Sequence, residues 1–420
     1  MQVRWLARMG MVAALAVGVA ACGEDEESAG GDQAASGNGG GDVTIYSSLP
    51  LQGASRTQSE AVIKGIKLAI KQADNKAGDM NVKYVSLDDS TAAAGKWEAN
   101  QVNANARKVA QDDSAIAYIG EFNSGATVLS IPVLNEAGML QVSPSATAYG
   151  LTKSGPGADA GEPAKYYPTG ERNFGRVVPA DHIQAAAVAQ YMQDEEVTKV
   201  YIIDDTEVYG QGLAKNTQTA AEKLGLQVVG TDSWEGKASN YRALANKIKE
   251  SGADGVFTAG IIDNNGPQLY KDLHAAMPDV KLFGPDGLAT QQFAKDVPAN
   301  VAAQTFLTVA SVAATSDDLP PAGKKFYEDY QAEYNEAVDE IDPYAVFGYE
   351  AAAAVLESIE KGGNDRQAVI DAFFAIENRE SPLGTYSIDE NGDTTLSVYG
   401  GYRLKDQKLS FDRVLEAEAV

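Results

Sequence analysis

An α/β fold divided between two lobes is what this sequence predicts, and three observations carry the prediction. From Val43 onward, short β-branched runs alternate with longer stretches of helical period, the pattern that builds parallel sheets flanked by helices. The chain of 420 residues exceeds what one hydrophobic core usually serves. Serine, threonine and glycine gather in loops just after strands and at helix starts, where ligands settle in parallel α/β sheets.

Two N-terminal segments of different character precede the fold. Arg4 and Arg8 lead into an apolar run from Met9 to Ala21, which ends in Val19-Ala20-Ala21-Cys22. The run is too short to span a bilayer and closes on small residues, so residues 1–21 read as a signal peptide. From Gly23 to Asp42 the chain is Gly, Ser, Ala, Asn and acids with no large apolar residue, and residues 22–42 read as a flexible tether. Cys22 is the only cysteine, which excludes a disulfide framework and a zinc site built on thiolates.

Val43 to Tyr46 opens the fold as a strand, and Val62, Ile66, Ala69 and Ala73 then line one face of a helix. Further strands are predicted at 82–87, 115–119, 140–143, 199–203, 227–229, 255–259 and 280–283, with helices between nearly all of them. Between Lys153 and Arg172 the pattern lapses into Gly, Pro and polar residues. This reads as an inserted surface loop, whose Tyr166 and Tyr167 either pack on the lobe or close over a ligand. Phe326, Tyr330 and Tyr334 repeat every four residues as core positions of a helix, and Tyr344 to Glu360 continues a second amphipathic run. Polar turn residues at 387–393 suggest a closing hairpin.

Acidic side chains outnumber basic ones by 59 to 34, for a net charge of −25. Such a surface repels nucleic acid, whereas a small zwitterion answers to a local site rather than to the overall field. Enzyme motifs fail one by one. Gly210-Gln211-Gly212 lacks the third glycine of a dinucleotide loop, no Walker-type lysine loop is present, and Gly120 to Gly125 has the wrong spacing for a nucleophile elbow. The two histidines, His182 and His274, lie far apart and belong to no HExxH helix. No catalytic residue, metal site or cofactor is expected.

Two strand-to-helix loops stand out instead. Gly120 to Thr127 (GEFNSGAT) and Val142 to Thr147 (VSPSAT) each follow a strand, and their hydroxyls and free backbone N–H groups suit an anion. Helix capping is the alternative for each serine or threonine taken singly.

At this point a resemblance becomes specific. The SPSAT loop, Asn123-Ser124-Gly125, Val208-Tyr209-Gly210-Gln211-Gly212, Phe283-Gly284-Pro285-Asp286-Gly287 and the run YAVFGYEA from Tyr344 to Ala351 resemble the leucine/isoleucine/valine-binding proteins. These are type I periplasmic binding proteins that serve branched-chain amino-acid ABC importers, and the resemblance runs from Val43 to about Gly400. It implies two Rossmann-like lobes with parallel sheets joined by a three-segment hinge. The expected limits are 43–180 with 309–384 for the N-terminal lobe, and 181–308 with 385–420 for the C-terminal lobe.

The resemblance also implies roles. Ser124, Ser145 and Thr147 match holders of a ligand carboxylate. Asp181 falls at a site-lining position, Tyr209 matches a tyrosine over the ligand, and Asp286 matches the acid that pairs with the ammonium. Ile261 stands where many relatives carry an aromatic, and Asp286 is one methylene shorter than the usual glutamate; both departures loosen the inference to leucine, isoleucine or valine. The tetrapeptide ending at Cys22 is similar to a lipobox, which implies an acylated cysteine holding the protein to the outside of the cell membrane, where stable anchoring needs more than one chain. The expected partners are a small amino acid or related carboxylate or amide, an ABC permease and the membrane, and not nucleic acid. An extracellular sensor presenting its ligand state to a membrane receptor is the alternative use of the same design.

Overall fold

The computed structural model describes residues 41–417, so the signal segment, Cys22 and nearly all of the tether lie outside the described residues. In chain order the elements that frame the cleft are β1 (Asp42–Leu49), α1 (Arg56–Gln72), β2 (Met80–Asp88), α2 (Ala99–Ala110), β3 (Ala115–Gly120), α3 (Ser124–Glu136), β4 (Leu140–Ser143) and β5 (Phe174–Arg176). There follow α4 (Asp181–Asp194), β6 (Lys199–Asp204), α5 (Val208–Lys223), β7 (Gln227–Ser233), α6 (Arg242–Ser251), β8 (Gly255–Ala259), α7 (Gly266–Ala276), β9 (Lys281–Gly284) and β10 (Thr305–Val309). The chain closes with α8 (Pro321–Tyr334), α9 (Ala345–Gly362), α10 (Arg366–Phe374), β11 (Val398–Lys405) and β12 (Lys408–Glu416).

Two sheets result. The first runs β2-β1-β3-β4-β5, all parallel, with a two-residue antiparallel edge at Lys76–Ala77. The second runs β7-β6-β8-β9-β10 in parallel and adds the antiparallel pair β11-β12. Strands covered by helices on both sides must be apolar on both faces, which is why β1 is buried from Val43 to Leu49 and β3 and β8 are buried throughout. Strand order reverses between β1 and β3 in one sheet and between β6 and β8 in the other. Each reversal leaves a crevice at the carboxyl ends of the strands.

The chain passes between the sheets three times: after β5, after β10 and before β11. Between the second and third passes it returns α9 to pack along α1 of the first sheet. The two helices touch backbone to backbone at Gly348, where a Cβ would be driven into the Val62 carbonyl. Phe326 and Tyr330 on α8 are buried as their spacing predicts, with Tyr334 partly buried against them.

The polar segment at 387–393 makes a tight antiparallel turn in which Ile388 bridges Thr394, and a second hairpin turns at Asp406 and Gln407, both with positive φ. The first of these turns presents Asp393 to Arg176, with Asp389 accepting the backbone N–H groups of Asn391 and Asp393. The inserted loop packs Tyr166 and Tyr167 against Leu151 and Phe174 on the surface of the first lobe, so these rings do not cover the cleft. Its Gly157 and Asp159 reach across to α5, where Lys215 pairs with Asp159 at 3.0 Å.

Arg176, at the end of β5, is fully buried. Its Nε donates to Asp393 Oδ1 at 2.8 Å, Nη1 to the carbonyls of Ala146 and Ala148 at 3.1 and 2.9 Å, and Nη2 to Thr152 Oγ1 at 2.6 Å. One guanidinium thus joins the first pass between the lobes to the third. It also fixes the backbone of the SPSAT loop from behind.

Two measurements check this packing. Gly348→Ala should lower stability by about 1–3 kcal/mol in chemical denaturation, because the α1 and α9 backbones must part to admit a methyl group. Arg176→Met, which leaves the Ala146 and Ala148 carbonyls without their donor and Asp393 with only Lys153 and Thr152, should cost about 3 kcal/mol.

Candidate interlobe site

The first lobe brings two loops to the cleft. Asn123 precedes α3 in extended conformation and makes no side-chain cap, so the N–H groups of the first turn, at Ser124 and Gly125, lack an acceptor from the cap side chain. Ser124 Oγ accepts the Ala148 N–H at 3.2 Å, and Ser145 Oγ donates to the Phe122 carbonyl at 2.7 Å. These two hydroxyls therefore tie the 120–124 loop to the 143–148 loop. Thr147 differs: its Oγ1 is buried and has no hydrogen-bond partner in the protein. Arg176 holds the carbonyls on either side of Thr147, while the Thr147 carbonyl itself accepts the Asp181 N–H at 2.9 Å.

That bond seats the start of α4 beside the loop. Asp181 is fully buried, and neither carboxyl oxygen has a protein donor. Burial pushes its pKa up to about 7; the Thr147 hydroxyl, close by but outside hydrogen-bonding geometry, and Arg176 pull it down, and the charge of Asp286 adds to the rise.

Asp286 lies at the meeting of both lobes. Its Oδ1 accepts the Tyr209 hydroxyl at 2.8 Å and the Gln184 amide, and its Oδ2 accepts the Tyr344 hydroxyl. Gln58 of α1 reaches the Asp286 carbonyl at 3.5 Å. Tyr209 stands in the first turn of α5, and Tyr344 stands at the start of α9, in the other lobe. Burial, reinforced by the Asp286 charge, holds both phenols well above their ordinary range, so they act as donors. Ile261 forms the adjoining wall. Its N–H donates to Asp205 Oδ2 at 2.9 Å, and a Cβ at Gly287 would stand 2.6 Å from the Gly260 carbonyl and 3.2 Å from both Ile261 and Tyr209, so this wall closes only around glycine.

Of the residues singled out in the sequence, Thr147, Asp181, Tyr209, Ile261 and Asp286 gather around the cleft, with Ser124 and Ser145 bracing the loops beneath. Tyr344, Gln184 and Phe122 join them without having been singled out. Phe122 packs its ring 5.1 Å from that of Tyr344. The signal for Tyr344 was present: it opens the YAVFGYEA run, and a tyrosine at a helix start is the same placement as Tyr209. Trp97 is a further addition; it packs on Gly125 and keeps its indole N–H buried without a partner. Its neighbour Lys96 crosses the cleft to Glu207 at 2.5 Å.

The chemistry of these side chains is that of holding. One side offers a hydroxyl and helix-start N–H groups, and two carboxyls stand near by. His182 stacks edge-on against Tyr149 at 5.0 Å, and burial lowers its pKa to about 4. Neither its Nδ1 nor that of His274 has a hydrogen-bond partner, so neither ring is oriented through that nitrogen by a third group as a general base would be.

Comparison with known proteins shows what the chain as a whole is similar to. The family model described as periplasmic binding protein matches residues 43–407. An amino acid binding protein of Pseudomonas aeruginosa is 26% identical over 369 residues, spanning 87% of this chain and 91% of its own length. Among solved structures, a leucine binding protein from Thermotoga maritima superposes with a TM-score of 0.77 at 20% identity, covering 89% of this chain and 99% of that one. A solute binding protein of an ABC transporter from Rhodopseudomonas palustris HaA2, in complex with p-hydroxybenzoic acid, superposes with a TM-score of 0.74 at 20% identity, covering 90% and 97%. The two-lobed α/β fold is the one these structures share, and the chain belongs to the periplasmic binding protein family.

Proposed function

We propose that this protein captures a small amino acid or related carboxylate between its lobes, outside the cytoplasm, and delivers it to the permease of an ABC importer. The observation that carries the reading is the pair of buried, unpartnered groups at Thr147 and Asp181. Each such polar group costs about 1–3 kcal/mol unless something satisfies it, and a bound solute would do so. Thr147 and the helix-start N–H groups at Ser124 and Gly125, with Ser145 beside them, would take a carboxylate. Asp286 and Asp181 would receive an ammonium, with Tyr209 and Ile261 forming the wall around the side chain. Relatives named for amino acids support the zwitterion, and neighbours holding benzoates support a carboxylate without an amine.

The lobe limits belong to the same reading: 43–180 with 309–384, and 181–308 with 385–420, moving about the three passes between the sheets. So does the membrane anchor, an acylated Cys22 at the end of a tether. Among the described residues, no helix is long and apolar enough to cross a membrane.

Calorimetry against the twenty L-amino acids, their amides and a set of benzoates would name the ligand class. For the tightest binder, Thr147→Ala and Asp286→Ala should each weaken affinity about tenfold or more, since each removes a hydrogen bond to a charged group. Unchanged affinity in both variants would reject the site.

The pH dependence separates the two ligand classes. An ammonium beside Asp181 favours its ionised form, so amino-acid affinity should hold above pH ~7 and fall as pH drops below it. A benzoate anion favours the protonated form, and its affinity should fall as pH rises through ~7.

A further inference from the structure

The two strand-order reversals also meet outside the ligand chamber. After β1 the chain turns through Gly53, Ala54 and Ser55 into α1, and Ser55 at the N-cap makes no side-chain cap of its own. The acceptor comes from the other lobe. Asp263, in the turn after β8, receives the N–H of Ala54 at 2.8 Å and of Ser55 at 3.1 Å on Oδ1, and the Ser55 hydroxyl on Oδ2. A carboxylate at a helix start is favoured both by these orphan donors and by the helix dipole.

The turn that carries Asp263 is built into its own lobe. Asp205 Oδ2 accepts the Ile261 N–H at 2.9 Å and the Asn264 amide at 2.8 Å. The Trp234 indole donates to the Asn264 carbonyl at 2.8 Å, and the Ile262 N–H donates to the Gly287 carbonyl at 2.9 Å. Asp263 is thus held within the second lobe; on the reading proposed above, in which the lobes move about their three connections, its bonds to Ala54 and Ser55 would form only when the lobes are shut. Two residues earlier, the same turn supplies Ile261 to the chamber wall.

We propose that Asp263 is the latch of the closed state: a carboxylate of the second lobe that caps α1 of the first, joined rigidly to the chamber wall through Ile261. The latch therefore favours the closed form in the empty protein as well, and a solute in the chamber adds to it. Asp263 is a positioning residue, because it holds the closed form without touching the solute. Burial raises its pKa and the Ser55 and Ala54 donors draw it back, so a neutral side chain of the same shape suits the position. Asparagine can accept the two N–H groups through Oδ1 and donate to Ser55 Oγ through Nδ2.

The test needs no ligand, so it stands apart from the question of which solute is carried. Asp263→Ala, Asp263→Asn, Ser55→Ala and the unaltered full-length protein would be compared, stripped of solute, by small-angle scattering and by hydrogen exchange over residues 51–58. Asp263→Ala should enlarge the radius of gyration and speed exchange at Ala54 and Ser55 about tenfold or more, with Ser55→Ala intermediate and Asp263→Asn close to the parent. A loss of thermal stability in Asp263→Ala with radius and exchange unchanged would overturn the latch. So would an Asp263→Asn variant as open as Asp263→Ala.

Discussion

The buried guanidinium of Arg176 is the constraint on which the first half of the site depends. A charge without solvent is tolerated only when its partners are fixed, and here one carboxylate, two carbonyls and a hydroxyl fix it. The geometry then runs outward from it. Because the carbonyls of Ala146 and Ala148 point back at Arg176, the residue between them is held at a set position, and its own carbonyl meets the N–H of Asp181. A loop of Ser, Pro, Ser, Ala and Thr would otherwise have many conformations. One cation reduces them to the one that leaves the Thr147 hydroxyl and the Asp181 carboxyl unpartnered.

The second lobe solves the same problem differently. Its chamber wall rests on Asp205, a buried acid whose pKa is pushed up to about 7 by desolvation while Asn264 and the Ile261 N–H draw it back. In both lobes, then, a buried ionisable group behind the strand-order reversal sets the loops in front of it. Asp286, between the lobes, is bonded from both sides, by Tyr209 and Tyr344, and so senses their separation directly.

Much of this was legible in the sequence, for identifiable reasons. Parallel strands covered on both faces leave unbroken apolar runs such as Ala115 to Ile119, and motifs such as SPSAT and GPDG sit at fixed offsets from them. Local patterns of this kind survive without knowledge of the fold. What was not legible depends on contacts between distant residues. Nothing near Arg176 announces that its partner is Asp393, and nothing near Asp263 announces Ser55. The bonds that tie Ser124 and Ser145 to neighbouring loops were not legible either, because a free hydroxyl and one bonded to a neighbouring loop are identical in sequence.

The return of α9 to α1 carries a consequence for synthesis. The apolar face of α1 is made early in translation, but the helix that covers it, with Gly348 at the point of contact, comes only after the whole parallel part of the second sheet has been made. During that interval the first lobe exposes an uncovered seam, a surface of the kind that invites aggregation before a nascent chain is complete. The half of the molecule begun first must wait for distant sequence to seal it.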